Sequence, residues 1–392
     1  MPSFIEMVPS SSGHPFNGYR NLKVVAYNVQ MTPGIFTLSY NTSSRVEHLI
    51  STLKQIIELK NPDVMILCEV FSSRANDLLH SSSKQELQYP YQTSILRSSF
   101  HSSIPHISSR EDNETSNAFH NKKFREVLVN SSDGGMAMTR SWDSISGNFH
   151  KPKVQHSGLK ILSKYPIVSC HGYLFHHAAF PDCFSSKGAI FVQIDKCGQK
   201  FNIVGTHLQA GESKNEVRLK QIAELAEWLE LYPLHPTGIS ILSSFKTIGI
   251  NAPSDFLSDD IPLIFGGDFN VRYNEDKPYF QKILGCNLLN AIDALPIEFA
   301  HTTYDTQKND LCFYEEGRPS IPKRQILDYL LLSKIYGGSV KTKQESIQIP
   351  LTIPIFYRHF KFGFIPWKST TINHFSDHFP ICGTFSADNA LS

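Results

Sequence analysis

The sequence predicts an α/β fold, and three observations carry that prediction. Apolar runs of strand length recur along the chain, among them LKVVAYNV at 22–29, DVMILCEV at 63–70, KFNIVGTHL at 200–208 and IPLIFGGDF at 261–269. A stretch of helical periodicity separates the first two, giving a strand–helix–strand opening. One run after another ends in a carboxylate, an amide or an imidazole. Apolar strands that finish in such groups can deliver them to one sheet edge, where α/β proteins assemble sites.

Taken in order, LKVVAYNV reads as a strand with a partly buried face. Residues 44–60 read as an amphipathic helix, with Val46, Leu49, Ile50, Leu53, Ile56 and Ile57 on one stripe. Ser44 and Glu47 have the spacing of a capping box at its start. Pro62 stops the helix, and DVMILCEV follows as the second strand. Residues 95–132, rich in Ser, Asn and His without clear periodicity, read as a long surface insertion. Strands return at LKILS (159–163), KGAIFVQI (187–194) and KFNIVGTHL. A helix is expected from about Ser213 to Leu231, burying Val217, Ile222, Leu225, Ala226 and Leu229. A second insertion, near 232–258, carries several Pro and Ser. The last strands are IPLIFGGDF, ILDYLLLS (326–333) and FPICGTF (379–385). There is no internal repeat, and no linker divides the polar motifs. The expectation is therefore an N-terminal tail at 1–20 and one catalytic domain over 21–386.

Composition sets few limits. The chain has 392 residues, 41% hydrophobic and 19% charged, as for a globular protein able to bury a sizeable core. Its net charge of +1 gives no global attraction to nucleic acid or anionic membranes. The seven cysteines are scattered, without the spacing of a zinc site or a disulfide framework, and read as mostly buried free thiols. No window of about twenty apolar residues occurs, so no transmembrane helix is expected. The first twenty residues hold no apolar run of signal-peptide length. A cytoplasmic chain and one exported without a leader, or with its leader removed, both fit.

The residues at the strand ends are Asn28, Glu69, His207, Asp268 with Asn270, Asp328, and Asp377 with His378. Singly, each has an ordinary explanation as a turn residue, a strand-end charge or a packed core histidine. Together they make a chemistry. A phosphodiester gains negative charge on its oxygens in the transition state. A hard cation such as Mg2+ takes oxygen ligands, which Glu69 and Asn28 supply. One imidazole can take a proton from water and another can protonate the leaving oxygen. A neighbouring carboxylate can orient the base, and Asp268 and Asn270 can hold water or phosphate.

These residues carry a resemblance. YNVQ (27–30), EVF (69–71), GTHLQA (205–210), GGDFN (266–270), LDYLLLS (327–333) and SDHFP (376–380) resemble the endonuclease/exonuclease/phosphatase superfamily. YPYQT (89–93), DGG (133–135), ILSKYPI (161–167), SSKGAIFVQI (185–194) and TTYDTQKND (302–310) are similar to its bacterial-type neutral sphingomyelinases. The resemblance implies a four-layer sandwich of two packed mixed β-sheets flanked by helices. It implies a Mg2+-dependent phosphodiesterase, with Mn2+ or Co2+ as substitutes, that hydrolyses sphingomyelin to ceramide and phosphocholine. Glu69, helped by Asn28, is then the metal site, with Asp377 in support. His378 is the base, Asp328 its orienting partner, and His207 the second catalytic histidine. Asp268 and Asn270 hold water and phosphate, and Lys187 belongs to a lysine–glycine element at the substrate. Ser72 and Ser73 stand where some relatives place a ligand to a second metal at the cleft edge.

The segment IFYRHFKFGFIPW, at 355–367, lies where that family carries an exposed hydrophobic hairpin. Phe364 and Trp367 are the expected membrane contacts, with Gly363 at the turn. A pair of ordinary core strands would give the same alternation. The expected partner is sphingomyelin or a related choline phospholipid in a membrane, met by a monomer, with no nucleic acid. Alternatives are a lysophospholipase C, a nuclease of the same fold and a non-catalytic lipid-binding module. A nuclease calls for a basic cleft, and the balanced charge shows none.

Overall fold

A computed structural model of the chain describes residues 20–31, 42–98, 138–148, 153–229, 248–249, 252–273, 275–276, 290–291, 302–333, 336–348, 355–361 and 365–387. In chain order the elements begin with β1 (Asn21–Asn28), α1 (Thr42–Val46), α2 (Leu49–Lys60), β2 (Val64–Cys68), α3 (Ser73–Ser82) and β3 (Tyr91–Thr93). Next come β4 (Met138–Arg140), β5 (Ser144–Gly147), β6 (Lys160–Ser163), β7 (Ile167–Leu174), β8 (Gly188–Lys196), β9 (Gln199–His207) and α4 (Asn215–Trp228). They continue with β10 (Ile248–Gly249), β11 (Leu263–Asp268), β12 (Asn290–Ala291), β13 (Tyr304–Asp305), α5 (Asp310–Glu315), β14 (Arg324–Gln325) and β15 (Asp328–Leu332). The last are β16 (Ser339–Ser346), β17 (Ile355–Lys361), β18 (Ile365–Ile372) and β19 (Ile381–Ser386).

Two mixed sheets form the centre. One has seven strands in the order β16-β19-β1-β2-β6-β3-β4, and the other eight in the order β10-β5-β7-β8-β9-β11-β15-β12. Strand periodicity assigns the side chains. Leu22, Val24 and Ala26 of β1 point into the layer between the sheets, where they join Ile66, Ile190, Ile203, Ile264 and Leu330. Val25 and Tyr27 point the other way, onto Leu49, Leu53 and Ile56 of α2 and Leu79 of α3. On the outer face of the second sheet, Val204 and Phe265 meet Ile222, Leu225 and Trp228 of α4. The result is helix, sheet, sheet, helix, the expected four layers. Strands buried on both faces are why the sequence reads as continuous apolar runs.

The sheets come close where two glycines lie opposite Ile66. A Cβ on Gly266 would stand 2.6 Å from Ile66 Cδ1, and one on Gly205 3.0 Å from Ile66 Cγ2. Gly267 has a different duty. Its φ is +133°, and a Cβ there would stand 2.0 Å from the Thr206 carbonyl oxygen of β9. Only glycine lets β11 lie against β9 at this point.

Several elements differ from expectation. The helix expected at 44–60 is two helices, broken by a turn at Glu47–His48. Ser44 therefore sits inside α1 and caps nothing, and Glu47 instead pairs with Arg74. The break seats the fully buried Arg45, whose guanidinium donates to Phe375 O at 2.7 Å and to Gln30 O at 2.5 Å. In α4, Ile222 and Leu225 are buried as expected, as is Leu229 just beyond its end, whereas Val217 and Ala226 are only half-buried; Arg218, Gln221 and Glu224 are buried as well. The first insertion begins later than 95, since Leu96 is buried in the core and Ser98 bonds Ser186; residues 99–132 lie outside the described residues. The second ends earlier than 258. Ile248–Gly249 pairs with β5, and Phe256, in a single 3-10 turn, packs on His171 and Phe191.

The aromatic segment forms an antiparallel strand pair, β17 with β18, rooted by buried Ile355 and Ile372. Its turn, with Gly363 and Phe364, lies outside the described residues, as does the side chain of Trp367. The DGG at 133–135 and Cys286 also lie outside them. Cys68, Cys170, Cys312 and Cys382 are buried free thiols, Cys183 is partly buried and Cys197 is exposed. No helix of the described residues is long and apolar enough to cross a membrane.

Replacing Gly267 with alanine should destabilise the protein by roughly 2 kcal/mol or more, because it adds both a steric clash and an unfavourable φ. A denaturant titration checks this, and a midpoint equal to the unaltered protein's would refute the close approach of β11 to β9.

Candidate active site

Strand register assembles the site. β9 and β11 run parallel with His207 beside Asp268, and β15 runs antiparallel to β11 with Asp328 beside Asp268. The three groups are therefore neighbours at one edge of the second sheet. In the first sheet, parallel β1 and β2 end together, Asn28 beside Cys68, so Asn28 and Glu69 share its edge. Glu69 follows in a left-handed conformation, φ +60°, which turns the chain out of the strand. Asn28 joins the two edges: its amide nitrogen donates to Glu69 Oε1 at 3.0 Å and to Asp268 Oδ2 at 2.9 Å. Its amide oxygen accepts from Gln30 N at 3.0 Å. Asn28 thus presents its nitrogen, rather than its oxygen, to the carboxylates.

The two histidines stand on either side of Asp268. His207 Nε2 lies 3.6 Å from Asp268 Oδ2 and 3.8 Å from Glu69 Oε1. His378 Nε2 lies 4.0 Å from Asp268 Oδ2, while its Nδ1 is 2.7 Å from Asp328 Oδ2. Asp328 so fixes the ring and aims Nε2 at the cleft. Tyr304 packs edge-on to the His378 ring, with centroids 5.3 Å apart. The loop that carries His378 is sewn down by Ser376, whose hydroxyl donates to Asn28 O at 2.6 Å and accepts from His378 N. Asn309 adds a bond from its amide nitrogen to Ser376 O at 2.7 Å. Asn270, at φ +53°, donates its backbone N–H to Asp268 Oδ1 and its amide to Leu208 O.

Lys187, expected at the substrate, is turned inward and 4% exposed. Its ammonium meets Asp182 Oδ2 at 2.7 Å, Leu208 O at 2.9 Å and His207 Nε2 at 2.9 Å. Three acceptors match its three donors. The buried polar face of α4 supports the loops after β9 and β7. Gln221 accepts from Gln209 N, Arg218 donates to Gln209 O and Gly211 O, and Glu224 accepts from Tyr173 OH, His176 N and His177 N.

Electrostatics set the two imidazoles apart. Burial holds His207 well below its ordinary value, and the charges of Lys187 and His378 add to the effect. Burial opposes the charged form of His378 too, but Asp328, then Asp377 and Asp268, carry it well above. Burial, with Asp328 beside it, pushes Asp268 up to about 6. Burial also pushes Asp377 up to about 6, against the pull of His378 and with the help of Glu69. Such crowding of carboxylates calls for a cation. Ligand atoms of Glu69, His207 and Asp268 lie within 4.8 Å of one another, as do those of Asp268, Asp328 and His378. Asp328 Oδ1, Gln30 Oε1 and Glu315 Oε1 are buried without a hydrogen-bond partner. Oxygen donors in excess, some unsatisfied, fit a hard divalent cation.

All the strand-end residues singled out in the sequence meet here, with Asp377 close enough to Glu69 and Asp268 to feel their charge. Phe364 and the side chain of Trp367 remain outside the described residues. Sequence reasoning missed Asp182, Ser376, Gln221 and Glu315. Ser376 was legible as part of the SDH motif. Glu315, which contacts Gln30 and is raised well above its ordinary value by burial and by Asp377, left no signal in the sequence.

The chain belongs to the endonuclease/exonuclease/phosphatase family, which matches residues 25–378. A Sphingomyelinase C of Bacillus cereus is 26% identical over 379 residues, spanning 93% of this chain and 89% of the relative. Among solved structures, Sphingomyelinase C from Streptomyces griseocarneus aligns with a TM-score of 0.63 at 20% identity, covering 93% of this chain and 99% of that one. A beta toxin variant from Staphylococcus aureus with bound magnesium ions aligns at 0.61 and 23% identity, over 93% and 99% of the two chains. These likenesses define the fold.

In chelator-treated protein, Asp328→Asn should lower the His378 pKa, because it removes a carboxylate that favours the imidazolium. An imidazole NMR titration reads this directly; an unmoved or raised value would contradict the pairing.

Proposed function

We propose that this phosphoric diester hydrolase cleaves sphingomyelin, or a closely related choline phospholipid, into phosphocholine and the lipid alcohol. The reading rests on one observation. A site of two imidazoles and a carboxylate cluster lies within a chain that resembles a Sphingomyelinase C over 93% of its length. Mg2+ is the proposed cofactor, held by Glu69 with Asp377 in support, and Asn28 orients Glu69. When bound, the cation neutralises charge on the phosphoryl oxygens and offsets the crowded carboxylates.

The chain's own residues do the proton work. His378, aimed by Asp328, takes the proton of the attacking water at Nε2. Asp268 and Asn270 hold that water and the phosphate. His207, with the Lys187 ammonium against its Nε2, stands across Asp268 from His378 and faces the leaving oxygen. The lipid oxygen–phosphorus bond breaks as the water oxygen–phosphorus bond forms. The leaving oxygen takes the proton shared between Lys187 Nζ and His207 Nε2, so the proton that His378 gains from water is matched by the one this pair gives up. Peripheral membrane contact through the β17–β18 hairpin, by a monomeric protein with a single catalytic domain, completes the reading.

Glu69→Gln should depress turnover on choline-lipid vesicles strongly and raise the Mg2+ concentration needed for activity. Full turnover in excess chelator would sink the metal requirement. His207→Ala and His378→Ala should each cost about 10²-fold or more in turnover with the fold retained. Near-normal turnover of either variant would remove that histidine from the mechanism, and plasmid nicking without lipid hydrolysis would favour a nuclease.

A further inference from the structure

An apolar patch stands at the rim of the site. Phe180 is 73% exposed and Phe184 42%, and their rings pack edge to face with centroids 6.1 Å apart. Val154, 75% exposed, lies on the neighbouring segment, where Gln155 N donates to Phe184 O and Gln155 bridges Ser185. Single exposed apolar residues are ordinary, but two exposed rings packed on each other, with an exposed valine on the adjoining segment, are less so.

The loop is tied to the site by its backbone and by the residue between the two rings. Ala179 N donates to Gln209 Oε1 at 2.7 Å. Asp182 accepts from Ala210 N at 2.7 Å and meets Lys187 Nζ at 2.7 Å, and Lys187 in turn touches His207. The Lys153 ammonium donates to Cys183 O at 2.6 Å, placing a positive charge against the backbone of the loop.

We propose that the Phe180–Phe184 loop is a lipid-contact element, separate from the β17–β18 hairpin, that seats its two rings in the interface of a bilayer. The proposal rests on the reading of a lipid phosphodiester substrate. A headgroup anchored in a bilayer has to reach His207, so the surface bordering His207 and Lys187 has to lie against that bilayer. Aromatic rings suit this interface, and a nearby ammonium suits lipid phosphates. The bonds to Gln209 and Asp182 hold the loop in place, so insertion of the rings is coupled in position to the cleft.

The full chain carrying Phe180→Ser with Phe184→Ser tests this. Binding to sphingomyelin–phosphatidylcholine vesicles is measured by co-sedimentation in chelator, and turnover of a water-soluble aryl phosphocholine is measured with Mg2+. Vesicle partitioning should fall roughly tenfold or more, while turnover of the soluble ester stays unchanged. Leu59→Ser, at a 59% exposed position on α2 beyond the opposite end of β2 from Glu69, should leave both unchanged. Undiminished vesicle binding by the double variant overturns the proposal. So does failure of the unaltered protein to bind vesicles, or equal loss on both readouts with a lowered melting temperature. If the unaltered protein hydrolyses neither substrate but the double variant alone loses vesicle binding, the lipid contact stands and the catalytic reading falls.

Discussion

The site hangs on the register of three strands. Side chains alternate faces along a strand, so a slip of one residue in β9, β11 or β15 would turn His207, Asp268 or Asp328 away from its neighbours. Register is secured from both sides. The apolar set of each strand has one arrangement that fills both the layer between the sheets and the helix-covered face. Gly267 lets β11 lie against β9, and Gly205 and Gly266 let Ile66 of the other sheet come close. Asn28 then spans the gap with two hydrogen bonds, making one site of two sheet edges.

That assembly concentrates acids where water is scarce. Burial and mutual repulsion raise Asp268 and Asp377 to about 6, and Glu315 well above its ordinary value. A buried carboxylate stays charged only at a cost, unless a cation or a dedicated donor meets it. Lys187 meets one such need through Asp182. Asp328 meets the His378 ring through Oδ2 but leaves its Oδ1 without a partner. The remaining excess is what a divalent cation would relieve, and binding of such a cation to the folded chain alone would stabilise the fold. The same field separates the imidazoles, favouring a neutral His207 beside a cation and a charged His378 among anions. A charged imidazole cannot accept a proton, so the base role proposed for His378 requires a bound cation that offsets Asp268 and Asp377 and lets the ring lose its proton.

Much of this was legible in the sequence. The strand runs that carry the site, the helix after β9 and each strand-end polar group could be placed from periodicity and motif, and the β17–β18 pair through the family resemblance. Other features were not legible. Glu47 and His48 break no apolar stripe, so the interruption between α1 and α2 was invisible; it follows from burying Arg45 against two carbonyls that lie far apart in the chain. Arg218, Gln221 and Glu224 look like a solvated helix face, yet all three are buried because the loops after β7 and β9 present backbone groups to them. Lys187 was placed at the substrate through a lysine–glycine element of the family resemblance, and the acceptors that hold its ammonium inward leave no sign in the sequence.

By itself, then, the sequence determined which residues are chemical and where each lies on or beside its strand, since continuous apolar runs and strand-end polarity are local properties of the chain. The strand–helix–strand opening also gave the α/β class, while the four layers were implied by the family resemblance. The tertiary structure alone decided which of those residues touch. Asn28 and Asp268 are 240 positions apart, and His378 and Asp328 are 50 apart. Their contacts exist only once two sheets have packed in register, and the burial that shifts their protonation exists only then. The direction of Lys187 and the polar seat of α4 were decided in the same way, by acceptors that folding brings from distant parts of the chain.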